Sequence, residues 1–125
     1  MILISLFILS VPAYPNTKQI QIGYASWYSY ESCRKEGTSG RFTASGKRFN
    51  ENDYTCAIWD KKFGTMLKIT NLNSGASILV VVTDRGPAKR LARQGRIIDL
   101  SKAAFAKVAD LRTGIIKVKV EEIDE

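Results

Sequence analysis

Two aspartates have the surroundings in this 125-residue chain that best suit acid–base chemistry. Asp84 sits in Thr83-Asp84-Arg85-Gly86-Pro87, straight after the apolar run Ile78 to Val82 and straight before a Gly-Pro turn. A strand end that empties into a loop is where scaffolds commonly display reactive groups. Asp99, in Arg96-Ile97-Ile98-Asp99-Leu100-Ser101, likewise closes a short apolar run ahead of a helix start. Two strand-end acids facing one groove, with carboxyls within about 10 Å, are the arrangement that glycosidic-bond chemistry uses. The other reading of Asp84 is a cap on the turn before Gly86-Pro87.

Composition narrows the chemistry. The chain has no histidine, which removes Ser-His-Asp and Cys-His catalysis and imidazole bases together. Two cysteines without histidine cannot supply a four-ligand Cys/His zinc site; no metal and no other cofactor is expected. The formal charge of +7 suits an anionic partner such as a cell-wall polymer, a nucleic acid or an acidic membrane face, although the same charge also serves solubility. Lys89, Arg90, Arg93 and Arg96 are the only support for nucleic acid. Base-reading and RNA-binding motifs are not seen, so nucleic acid is not the expected partner.

The elements that must position the acids are short. Residues 1–13 open with an apolar stretch, MILISLFILS, then small residues spaced like a signal-peptidase site, and read as a secretory signal; the alternative is a first strand with a misassigned start. The stretch is too short for a transmembrane helix of about 20 residues. Residues 14–21 form a tail, and one domain is expected over residues 22–123. Alternation begins at Ile20 and runs through Tyr28, with Trp27, Tyr28 and Tyr30 divided between core and groove. Residues 31–50 read as a long loop, and Tyr54 to Trp59 as a short strand. Met66–Leu72 and Ala76–Thr83 form a hairpin across Asn73-Ser74-Gly75. The second of these strands is apolar throughout and is expected to be covered on both faces. A basic connector over residues 88–96 holds one helical turn. Ser101 caps a helix from Lys102 to about Leu111, stopped by Gly114, and a last strand over residues 115–123 turns Ile116, Val118 and Val120 inward. Short strands with few helices imply a mainly β fold, a small barrel.

Export would place Cys33 and Cys56 in an oxidising compartment where pairing is favoured. A bridge would close a loop of about 24 residues, worth about 3 kcal/mol on the chain-entropy estimate. The alternative is two buried thiols.

Six stretches occur in order: Gly23-Tyr24-Ala25-Ser26-Trp27-Tyr28, Thr43-Ala44-Ser45-Gly46, Phe63-Gly64-Thr65, Thr70-Asn71-Leu72, Thr83-Asp84-Arg85-Gly86-Pro87 and Ile98-Asp99-Leu100-Ser101. Together they resemble the RlpA-like double-psi β-barrel family over about residues 22–122. The resemblance implies a six-stranded pseudo-twofold barrel with one or two short helices, in a secreted or periplasmic monomer that acts on peptidoglycan glycan strands or another anionic wall polymer. Family enzymes are lytic transglycosylases, which cleave without water and leave a 1,6-anhydro end. Asp84 matches the family's catalytic aspartate, with Asp99 expected to orient it. Ser26, Tyr28, Lys47 and Arg85 are the expected substrate contacts.

The chain departs from the pattern at two catalytic positions. Where active members carry a Glu after Thr-Ala-Ser-Gly, this chain has Lys47; where they carry a His six residues before the Gly of Phe-Gly-Thr, it has Ile58. Asp60, on the same strand face as position 58, is a candidate substitute, and Glu51 and Asp53 are further acids on a loop. Two functions follow: a transglycosylase working with one carboxyl, or a wall-binding barrel resembling expansins, which loosen polysaccharide contacts without cleavage and retain acids matching Asp84 and Asp99.

Overall fold

The computed structural model describes residues 19–35 and 42–123, without the side chains of residues 33–35. The expected leader over residues 1–13 lies outside the described residues, as does most of the tail. Six strands are interspersed with short helices: β1 (Ile20–Tyr28), α1 (Tyr30–Lys35), β2 (Thr55–Ala57), β3 (Met66–Asn71), β4 (Ser77–Asp84), α2 (Lys89–Ala92), β5 (Arg96–Ser101), α3 (Lys102–Val108), a 3-10 turn (Leu111–Thr113) and β6 (Ile116–Glu122).

The strands close into a barrel in the order β1-β5-β2-β4-β3-β6. β1 with β5 and β2 with β4 are parallel, and the other four pairings are antiparallel. Exchanging β1 with β4, β5 with β2 and β6 with β3 maps every pairing onto one of the same sense. The connectivity is therefore pseudo-twofold about an axis between β5 and β2, as expected of a double-psi barrel.

Alternate residues fill the interior, as strand geometry requires. Leu67, Ile69, Val80, Val82, Ile98 and Leu100 are fully buried, joined by Ala104, Phe105 and Val108 of α3. β6 follows its pattern, with Ile116, Val118 and Val120 buried and Lys117 exposed. Ser101 caps α3 by accepting from the Ala104 amide, 3.3 Å, while its hydroxyl donates to the Asp53 carbonyl, 2.6 Å. Trp27 packs beside Phe105 and donates from Nε1 to the Leu111 carbonyl, 3.0 Å.

Several expectations are corrected. There are three short α-helices among the described residues rather than one or two. α1 falls where a loop was expected, because its first turn is capped twice: Ser29 and Ser32 exchange amide-to-hydroxyl bonds locally, and Glu51, 21 residues on, accepts from the Tyr30 amide. α3 stops at Val108, and Gly114, at φ +78°, ends the 3-10 turn instead. β4 is not covered on both faces, since Leu79 is 49% exposed; a barrel strand is buried only on its inner side unless a helix lies over the outer one.

The expected Cys33–Cys56 bridge is also corrected. Cys56 is a free thiol, fully buried on β2 against the barrel core; the side chain of Cys33 lies outside the described residues. Burial raises the Cys56 pKa far above its ordinary value, and the nearby Asp99 charge adds to the rise.

Candidate functional site

Two bulges set the site. Along the parallel pair β2–β4, Cys56 opposes Val82 but Ala57 opposes Asp84, so Thr83 is an extra residue. Strict alternation from Val80 and Val82 would have sent Asp84 into the core; the bulge turns it outward beside Ala57. Along β1–β5 the register jumps from Tyr24↔Arg96 to Ala25↔Ile98, leaving Ile97 extra. Here Gly23 permits the close approach: a Cβ on it would stand 2.9 Å from the Gly95 carbonyl oxygen.

With both bulges in place, one rung runs across four strands, Ser26↔Asp99↔Ala57↔Asp84. Directly paired residues project to the same face of a sheet. Strands lie about 4.8 Å apart, so two spacings put the Asp84 and Asp99 α-carbons about 10 Å from each other. Between the acids the rung carries only the Ala57 methyl, and Gly86 lies over it. A Cβ on Gly86 would be 3.4 Å from that methyl and 3.6 Å from Oδ2 of Asp99.

The acids are held differently. Oδ1 of half-buried Asp84 accepts from the amides of Ala44 and Arg85, both at 2.9 Å. Among the described residues no hydrogen bond falls on its Oδ2, so one oxygen is fixed and the other is available. Asp99 accepts at Oδ1 from the hydroxyl of buried Ser26. The turn that approaches Asp84 is itself anchored, with the Ser45 amide donating to the Thr83 carbonyl, 3.2 Å.

The remaining candidates are spread around this rung. Arg85 faces the loop after β2: its Nη1 donates to the carbonyls of Ile58, 3.0 Å, and Lys61, 2.8 Å, and its guanidinium lies over the Phe63 ring. Lys47 is exposed at the end of the Thr43 turn, on the rim of a pocket of about 380 Å³ shared with Arg48, Phe49 and Thr83. Tyr28 stacks on Phe49, ring centroids 4.6 Å apart, and Tyr30 meets the same ring edge-on.

Ile58 is 2% exposed and belongs to the core cluster, while its amide donates to the Asp84 carbonyl, 3.1 Å. Asp60 is exposed and lines a separate pocket with Trp59 and Lys89. Glu51 is engaged at the α1 cap, and the Asp53 side chain lies beside the Lys47 pocket. The four basic residues over 89–96 do not form one strip, since Lys89 and Arg93 line one pocket and Arg96 another with Tyr24 and Leu91. Among the described residues, no group of three or more His, Cys, Asp or Glu could hold a metal ion.

Sequence reasoning missed the Ala44 amide, the Ala57 floor and the Trp59–Lys89 contact. The first two depend on register shifts that no local pattern marks. The third was open to inspection, as Trp59 is an aromatic among Asp60, Lys61 and Lys62 just past a strand end.

The family described as "Lytic transglycolase" matches residues 20–120. The probable endolytic peptidoglycan transglycosylase RlpA of Aquifex aeolicus is 45% identical over 94 residues, 75% of this chain and 37% of that protein. The endolytic peptidoglycan transglycosylase RlpA of Rickettsia felis is 42% identical over 101 residues, 81% of this chain and 41% of that protein. The chain thus spans about two fifths of the length of these relatives. Among solved structures, the Streptomyces papain inhibitor superposes with a TM-score of 0.63 at 23% identity, covering 85% of this chain and 96% of its own. The Clavibacter michiganensis expansin superposes with a TM-score of 0.60 at 20% identity, covering 86% of this chain and 52% of its own. At those identities the likeness is one of fold.

Proposed function

The chain belongs to the RlpA-like lytic transglycolase family of double-psi β-barrels, and from that premise we propose that it is an exported, peptidoglycan-directed barrel that cleaves glycan strands with Asp84 as its proton carrier. The observation that carries this reading is the asymmetric hold on Asp84, with Oδ1 fixed by two amides and Oδ2 available. A protonated Oδ2 donates to the glycosidic oxygen as the C1–O bond breaks. The C6 hydroxyl of the same sugar then closes on C1 and returns its proton to Oδ2, leaving a 1,6-anhydro end and no net change in the carboxyl. One carboxyl serves both steps because the nucleophile is internal. Asp99 and Ser26 shape the far side of the rung, and the surface charge of Lys47 and its neighbours draws in an anionic polymer.

A second reading is favoured by one specific observation. The two positions at which family enzymes add an acid and an imidazole hold an exposed cation, Lys47, and a core residue, Ile58. On that basis the barrel binds and loosens wall glycan in the manner of expansins, without bond cleavage.

Purified sacculi incubated with the protein separate the two. Soluble anhydro-muropeptides detected by mass spectrometry, and lost in Asp84→Asn, are the expected result for cleavage. Sedimentation of the protein with sacculi and no soluble product overturns cleavage in favour of binding.

A further inference from the structure

The turn that holds Asp84 also forms one wall of a pocket of about 380 Å³, and β2 and β4 form the other. That volume falls in the range of about 300–1,000 Å³ in which proteins bind small ligands. Thr83, on the strand wall, is the residue skipped in the β2–β4 pairing and the chain neighbour of Asp84. The turn grips both, with the Ala44 amide on the Asp84 carboxylate and the Ser45 amide on the Thr83 carbonyl. A ligand in this pocket therefore lies against the elements that position the acid.

The lining describes that ligand. Thr55 and Thr83 carry buried hydroxyls with no hydrogen-bond partner among the described residues. Buried polar groups are normally paired, so two orphans on one wall leave bonds for a ligand to make. A threonine exchanges hydroxyl and methyl by one χ1 step between staggered wells, which lets a partner in the pocket draw each hydroxyl out. Every such hydroxyl both donates and accepts, the complement of the hydroxyls on a sugar ring. Tyr54, 40% exposed, adds an aromatic surface against which the apolar face of a pyranose can pack. Lys47 and Arg48 are exposed on the turn, two cations against the one carboxylate of Asp53, and Arg48 is steadied by the Phe42 ring at 5.7 Å. A neutral sugar leaves this excess of charge unmatched. Charge-assisted bonds to an anion use it.

We propose that this pocket is a subsite for one sugar ring bearing an anionic substituent, carboxylate or phosphate, with the anion on Lys47 and Arg48, ring hydroxyls on Thr55 and Thr83, and the apolar ring face on Tyr54. The two cations share the anion, so either alone retains part of the affinity. The source of the sugar rests on the peptidoglycan reading above; the pocket's chemistry does not.

The test titrates the ¹⁵N-labelled protein with three probes: N-acetylmuramic acid, which carries a carboxylate, N-acetylglucosamine 6-phosphate, and neutral N-acetylglucosamine. The anionic sugars are expected to shift the amide resonances of Lys47, Thr55 and Thr83 and to bind at least tenfold more tightly than the neutral one. Lys47→Met/Arg48→Met, at exposed positions that leave the fold intact, is expected to bring them down to the affinity of N-acetylglucosamine. Thr83→Val removes a hydroxyl at nearly constant shape and should weaken all three sugars. Equal affinity for the three, no shift at Thr55 and Thr83, or an anion preference that survives the double Met variant overturns the subsite. A response to one anion alone upholds it and identifies the source. Sugar binding here without soluble product from sacculi upholds the subsite and sinks only the cleavage reading. Product release without any sugar response does the reverse.

Discussion

The amide of Ala44 donates to Oδ1 of Asp84 at 2.9 Å, across 40 residues of sequence. The turn and the acid are thereby one unit, with the Arg85 amide as the second support. Asparagine keeps an acceptor at Oδ1, so Asp84→Asn is expected to fold as the parent does, with a melting temperature within a few degrees. It carries no transferable acid proton, and anhydro-muropeptide release should fall about 10²–10⁴-fold, the usual contribution of a general acid. Unchanged release would remove Asp84 from the chemistry.

Ser26 is buried and spends its hydroxyl on Asp99. Ser26→Ala should lower stability by about 1–3 kcal/mol, the cost of leaving a charged acceptor short of a donor. Ser26→Thr keeps the hydroxyl and should recover most of that. Urea midpoints of the three proteins measure the difference; a neutral alanine variant would show that the contact contributes little.

If the proposed cleavage draws on an acid at position 47 and an imidazole at position 58, Lys47→Glu with Ile58→His supplies both. Lys47→Glu is at an exposed site and should change stability by less than about 0.5 kcal/mol. Ile58→His places a polar ring in the core at a cost of about 1–3 kcal/mol. The double variant, assayed well below its melting temperature, is expected to release product at least tenfold faster than the parent. No gain would count against a role for those two side chains in the proposed reaction.

Arg85 bridges two carbonyls and covers the Phe63 ring, which a lysine cannot do at once. Arg85→Lys is therefore expected to destabilise by about 1–3 kcal/mol, read as a lowered thermal midpoint. If binding to sacculi also falls while the midpoint holds, the side chain serves substrate rather than the loop.

Cys56 carries a proton in the folded state well past its ordinary titration near 9, because burial raises its pKa and the Asp99 charge raises it further. Above that pH the unfolded chain releases the proton and the folded chain keeps it, so stability falls as pH rises, by up to about 1.4 kcal/mol per unit. In a Cys33→Ser background, urea midpoints measured from pH 8 to 10 should show this decline, and Cys56→Ala should remove its contribution. Thiol reagents at neutral pH should label Cys56 only on unfolding.

The hairpin of β3 and β4, the inward face of β6 and the Ser101 cap were legible in the sequence because each depends on neighbours within a few residues. The acids too were legible, as strand ends marked by Gly-Pro and by a serine cap. Their shared rung was not. It needs Thr83 and Ile97 to be skipped in the pairing, and a bulge leaves no trace in composition or period. Half of the cap on α1 escaped for a similar reason, since Glu51 supplies it from another part of the chain; the other half, Ser29 with Ser32, lay three residues apart and could have been read. Cys56 was misread because its compartment was inferred before its direction: it points into the barrel.

The middle of the rung is made of the least that a side chain can be, a methyl at Ala57 beneath a glycine. A carbon added at Gly86 would stand 3.4 Å from that methyl and 3.6 Å from Oδ2 of Asp99, on a backbone at φ +156° that side chains rarely adopt, so the ledge is closed to enlargement from above.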